Sequence, residues 1–124
     1  MKMTASTRHV DGVTIVDLVG RIVLGEGATG VRDLVLNLIK AGNKKILLNL
    51  RDVDYVDSSG LGELVHAFTS MRTAGGQLKL LNLSKRVRAV LQITKLLTVF
   101  DITDDEAISV KSFSPSLLPE PIMG

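Results

Sequence analysis

The chain contains no cysteine and no tryptophan, and its 124 residues include only one tyrosine, three phenylalanines and three prolines. Without cysteine, disulfide scaffolds, thiolate zinc sites and cysteine nucleophiles are excluded. So few aromatic rings leave little from which to build a base-stacking platform for nucleic acid. The 15 basic and 13 acidic residues sum to only +2, too small a surplus to mark a nucleic-acid partner. No apolar run approaches the roughly 18 residues of a membrane span, so membrane insertion is not expected. Met1 to Arg8 lack the hydrophobic stretch of a signal peptide, and a cytoplasmic location is expected.

What is present is an ordinary globular composition. Apolar residues make up 45% and charged residues 23%, and the length suits one domain with a proper core. Thr4 to Val10 and Val13 to Val19 are β-branched segments joined by Asp11-Gly12, a strong hairpin signal. After the glycine-rich stretch Gly25 to Gly30, the residues Val31, Leu34, Val35, Leu38 and Ile39 form an apolar helical stripe closed by Gly42-Asn43. Ile46 to Leu50 reads as a buried parallel strand, and Arg51 to Asp57 as a polar loop. A second stripe, Leu61, Leu64, Val65, Phe68 and Met71, begins after Ser58-Ser59-Gly60 and ends at Gly75-Gly76.

Leu78 to Leu83 reads as a further strand, with Ser84 capping a short helix that presents Val87, Val90 and Leu91. Val99-Phe100 is the candidate last strand, and Thr103-Asp104-Asp105-Glu106 matches a capping box for the final helix. The order ββαβαβα(β)α places the chain in the α/β class: a small mixed sheet, hairpin at one side, parallel strands beyond, amphipathic helices covering at least one face. Residues 1–111 form the expected domain. Residues 112–124, which hold all three prolines, form the expected C-terminal tail.

Four features invite a chemical reading. Gly25, Gly27 and Gly30 fit G-x-G-x-x-G, with Asp52 22 residues beyond Gly30. The preceding strand belongs to a hairpin, however, and not to the buried parallel strand a dinucleotide fold requires. A flexible loop entering the helix at Val31, with Thr29 as cap, accounts for the glycines, and no cofactor is expected. Ser58 and Ser59 lack the G-x-S-x-G context, and His66 lies about 12 Å along the same helix at roughly 1.5 Å per residue. His9 is on the first strand. No general base is therefore placed beside a nucleophile, and no catalytic residue is assigned. Asp52, Asp54 and Asp57 depart from the EF-hand pattern at its fifth position, so no metal is assigned. They are explained by turn bonding and loop solubility.

The serine pair itself is the fourth feature. A helix starting near Ser58 to Gly60 has free amides and a positive dipole end, where serine most often serves as a cap. The same position favours a phosphate, which brings about −1.5 to −2 charge to a corner already holding Asp57. A partner fitted to the neutral surface would then meet repulsion.

Val56-Asp57-Ser58-Ser59-Gly60-Leu61-Gly62, preceded by Ile46-Leu47-Leu48-Asn49-Leu50, resembles the signature of the STAS-domain family of anti-sigma-factor antagonists. The resemblance runs from the Asp11-Gly12 hairpin to the helix after Thr103 and includes Gly20 and Gly75-Gly76. It implies a STAS-like fold and a non-enzymatic bacterial switch protein of stress response, signal transduction and transcription regulation. Unphosphorylated, such a protein binds an anti-sigma factor and so releases a sigma factor. The anti-sigma factor is often the serine kinase that phosphorylates it, and a PP2C-type phosphatase reverses the mark. The implied phosphorylation site is Ser58. The implied partner-binding residues are Asp57, Ser58, Ser59, Gly60, Leu61 and Gly62. Many members carry an acid where this chain has Val23. The other role the resemblance allows is a non-phosphorylated STAS scaffold or accessory subunit, in a stressosome-like or lipid- or anion-transport assembly.

Charge is unevenly distributed. From Leu64 to Phe100 there is no acid, while Arg72, Lys79, Lys85, Arg86, Arg88 and Lys95 are basic; Asp101, Asp104, Asp105 and Glu106 follow. Such a distribution can steer a protein partner.

Overall fold

The computed structural model describes residues 3–113. Its elements are β1 (Thr4–Val10), β2 (Val13–Ile22), α1 (Glu26–Lys40), β3 (Lys45–Val56), α2 (Ser58–Thr73), β4 (Gln77–Leu81), α3 (Lys85–Ile93), β5 (Ile102–Thr103) and α4 (Glu106–Ser112). The five strands form one sheet in the order β1-β2-β3-β4-β5, with β1–β2 antiparallel and the remaining pairs parallel. This is the expected mixed sheet. Asp11 and Gly12 make the β1–β2 turn with φ of 50° and 81°, both in the left-handed region that a two-residue hairpin of this twist needs.

The central strands are apolar on both sides because both sides are covered. Ile46, Leu48 and Leu50 of β3 point into the main core with Val31 and Val35 of α1, Leu64 and Met71 of α2, and Val87 and Leu91 of α3. Leu47 points the other way and packs with Val13, Ile15, Leu81, Val110 and Phe113. Three helices therefore cover one face and α4 part of the other.

Four local assignments differ from the sequence reading. First, α1 starts at Glu26, so Gly27 and Gly30 are helical, and Thr29 bonds back to the Gly25 carbonyl instead of capping. Gly27 is buried because a side chain there would strike the Arg21 carbonyl of β2. Second, β3 does not end at Leu50 but runs to Val56, placing Asp52 and Asp54 on a strand. Register shifts against β2 break the period-two pattern and disguise this stretch, although Val53 and Val56 are fully buried. Third, the last strand is Ile102–Thr103, not Val99-Phe100; Phe100 instead meets Phe68 edge to face at 5.5 Å. Fourth, Asp105 caps α4, accepting the Ile108 amide at 2.9 Å. Thr103 is paired with Leu81 in the sheet and is not available as a cap.

Ser84 caps α3 as expected, accepting from the Val87 amide at 3.3 Å. At the C-terminal side, Ser112 ends α4 and Phe113 is buried in the second core; residues 114–124 of the expected tail lie outside the described residues. No helix among the described residues is long and apolar enough to cross a membrane.

Candidate functional site

The start of α2 is fixed by Asp57. One carboxylate oxygen accepts the Gly60 amide at 2.9 Å, closing the helix cap, and the other accepts the Leu24 amide at 3.0 Å. The Asp57 amide reaches the Ile22 carbonyl at 3.3 Å. Two backbone donors thus hold the carboxyl below its ordinary value, the Leu24 amide first and the Gly60 amide second. The Asp57 side chain links the β2–α1 loop to the α2 start.

Because Asp57 is the cap, Ser58 is not. Ser58 is the first residue of the helix and is exposed, and among the described residues its hydroxyl has no hydrogen-bond partner. A helix start of this kind presents free amides and the positive end of the helix dipole. A phosphate attached there is accommodated without unfolding the helix.

The remaining residues of the string divide by burial. Ser59 is half-buried, while Gly60 and Leu61 are buried. A side chain at Gly60 would strike the Ile22 carbonyl, with Val56 Cγ1 at 2.8 Å, so only glycine lets α2 sit this close to β2. Gly62 is exposed, with open space where a side chain would go. Ser58 and Gly62 are therefore the surface of the string, and Asp57, Gly60 and Leu61 its frame.

Sequence reasoning missed Leu24. It is 78% exposed, and its amide is tied to the residue preceding Ser58. The only signal was an apolar residue stranded between a strand and a glycine loop. Val23, the position where the resemblance anticipates an acid, is half-buried just before it, and its carbonyl accepts the Ala28 amide at 2.9 Å.

The other candidates lie apart. His66 is exposed and 3.8 Å from Glu63, and His9 meets the Thr14 hydroxyl at 3.2 Å on β1–β2. Neither is brought to Ser58 by any recorded contact. Among the described residues, Asp52, Asp54 and Asp57 do not gather into a group able to hold a metal. A polar cavity of about 590 Å³ lies on the α4 side of the sheet, between Arg8, Asn49, Arg51, Asn82 and the start of α4.

Comparison with known proteins agrees with this architecture. The chain is 46% identical over 54 residues to the anti-sigma-B factor antagonist of Bacillus subtilis, a match covering 44% of this chain and 50% of that protein. BtrV of Bordetella bronchiseptica is 26% identical over 117 residues, covering 94% of this chain and 98% of the relative. A solved chain from Thermotoga maritima superposes with a TM-score of 0.81 at 27% identity, covering 88% of this chain and 93% of that one. An anti-sigma factor antagonist from Mycobacterium paratuberculosis shares the fold, with a TM-score of 0.79 at 17% identity and coverage of 90% and 94%. The STAS domain model matches residues 4–108, all but the extremities of the described chain, and the protein belongs to the STAS domain family.

Proposed function

We propose that this protein is a phosphorylation-switched anti-sigma-factor antagonist. In the unphosphorylated state it binds an anti-sigma factor that is also a serine kinase, and a sigma factor is released. Phosphorylation of Ser58 breaks the complex, and a PP2C-type phosphatase restores it. The contact string is Asp57, Ser58, Ser59, Gly60, Leu61 and Gly62, with Ser58 and Gly62 exposed to the partner. No catalytic role is assigned to any residue here.

The observation that carries this reading is the division of labour at the α2 start. Asp57 performs the capping, so the Ser58 hydroxyl is exposed and not used by the fold. A serine needed as a cap could not be modified without loosening its helix; Ser58 can. A phosphate there adds about −1.5 to −2 charge beside the Asp57 carboxylate, within a surface that must fit a partner.

The test compares wild type, Ser58→Ala and Ser58→Asp, each co-purified from the native cell with phosphosite mapping. Ser58→Ala is expected to retain the partner and carry no phosphate. Ser58→Asp is expected to bind roughly tenfold or more weakly, as a like charge at a fitted interface costs a kcal/mol or more. Recovery of the same partners by all three, with phosphate absent from Ser58, overturns the proposal.

A further inference from the structure

Two guanidinium groups converge on a single ring beside the α2 start. Arg21 and Tyr55 are register partners at the C-terminal ends of β2 and β3, and the Arg21 guanidinium lies 5.7 Å from the Tyr55 ring centroid. Arg86, the second residue of α3, lies over the same ring at 5.0 Å. Cation–π attraction holds each arginine to the ring but does nothing for the repulsion between them.

Two cations of the basic stretch have carboxylate partners. Lys79 pairs with Asp101 at 3.0 Å and Arg88 with Asp104 at 3.5 Å, and outside the stretch Arg8 and Arg32 have carboxylate partners too. Among the described residues neither Arg21 nor Arg86 has one. Arg21 Nε is in addition buried without a hydrogen-bond partner. An orphan donor on a charged group is costly.

α3 shows the same imbalance. Lys85, Arg86 and Arg88 occupy its beginning with no acid in the first turn, against the helix dipole. Asp52 and Asp54, exposed on β3, line a separate hollow of about 340 Å³ with Val19, Gly20, Arg51 and Ser84. The cluster is joined to the switch corner through the chain. Arg21 precedes Ile22, whose carbonyl takes the Asp57 amide, and Tyr55 lies three residues before Ser58.

We infer that Arg21, Tyr55, Arg86 and Lys85 form a docking surface for a carboxylate-rich segment of the protein partner. The inference rests on the phospho-switch reading and adds to it the surface that selects the partner. Arginine and tyrosine are among the residues most often found as anchors at protein interfaces, and paired guanidiniums suit carboxylates. The modest net charge of +2 and the single tyrosine favour a protein segment over nucleic acid.

The test has two arms, both on the full chain. In the first, the ¹⁵N-labelled protein is titrated with a decapeptide of alternating glutamate and alanine while the arginine Nε–H signals are followed. The Arg21 and Arg86 signals are expected to shift and saturate, to stay still with a lysine–alanine peptide, and to lose the response in Arg86→Glu. An acid at that position suits the α3 dipole, so lost binding cannot be attributed to lost folding. Unmoved signals, an equal response from Arg86→Glu, or a tighter response to an oligonucleotide of matched charge overturns the inference. In the second arm, the anti-sigma factor recovered with Ser58→Ala is the probe. Arg86→Glu is expected to slow association about tenfold at low salt and flatten its salt dependence, with Arg86→Lys in between. Unchanged association sinks the docking surface and leaves the switch standing. Failure to recover any anti-sigma factor, with a positive peptide arm, does the reverse.

Discussion

Within the string from Asp57 to Gly62, two glycines separated by one residue have opposite physical roles. Gly60 lies against the backbone of Ile22, and a methyl group there has to push α2 away from β2. Gly60→Ala is expected to cost about 2 kcal/mol or more, in the range of overpacked cores. Gly62 faces open space inside a helix. Gly62→Ala is expected to gain about 0.5–1 kcal/mol from helix propensity alone. Urea unfolding of the two variants reads this contrast directly, and equal effects contradict the packing described. Asp57→Ala belongs with the first group. It removes a cap worth about 1 kcal/mol together with the Leu24 bond, whereas Ser58→Ala removes neither.

The same string shows what the sequence could and could not disclose at this scale. A helix start at Ser58 was legible, since the apolar stripe from Leu61 onward requires one. Which side chain caps it was not, because Asp, Ser and Ser in succession are all good caps and only the backbone angles decide. Asp57 is extended, at φ −91° and ψ −174°, as a cap residue must be. Leu24 and the Arg21–Tyr55–Arg86 cluster were invisible, since each depends on contacts between residues far apart in the chain.

At the scale of elements, the helices were the most legible parts. The 3.6-residue stripes of α1 and α2 announce their buried faces, and Val31, Val35, Leu64 and Met71 are indeed among the least exposed residues. Their ends were less so. Glycine is a poor helix former, so Gly27 and Gly30 read as loop; tertiary contact with β2 overrides that propensity. Aspartates read as loop for a similar reason along the second half of β3.

The C-terminal end of α4 is anchored by one lysine. Lys79, 8% exposed, donates to the Ser112 carbonyl at 2.9 Å and the Ser112 hydroxyl at 2.8 Å, pairs with Asp101, and lies 4.9 Å from the Phe113 ring centroid. Lys79→Met keeps the apolar stem but removes these charged bonds, each worth about 1.5–3 kcal/mol at most. The expected result is a loss of about 2 kcal/mol and faster amide exchange in α4, with α1 and α2 protected as before. Uniform exchange changes in all helices would show that α4 is not anchored this way.

At the scale of the molecule, Arg8 clasps three elements. It bonds Asp17 of β2 at 2.7 and 3.1 Å and Glu106 of α4 at 2.6 and 2.9 Å, while Asn49 of β3 also donates to Asp17 at 2.8 Å. The Arg8 bonds hold both carboxyls below their ordinary values, and Asp57 is held low by its backbone donors. A carboxyl with a lowered folded value stabilises the fold fully above the ordinary carboxylate range of about 4, and the contribution is lost as pH falls through the folded value. Denaturant midpoints are therefore expected to change little between about pH 7 and 5 and to drop below about pH 4. The Arg8 side chain is 41% exposed, so its share is modest and weakened by salt. Arg8→Met should flatten part of the acid limb and leave the Asp57 part. An unchanged limb in that variant rules out the clasp as its source.

The two-handed grip of the Asp57 carboxylate has a practical consequence. One oxygen accepts from the start of α2 and the other from residue 24, so a charge added at Ser58 is expected to be felt at a backbone amide 34 positions earlier in the chain. The Leu24 amide is in this sense a built-in reporter. Its resonance is expected to respond to a charge placed at Ser58, from a residue outside the string itself.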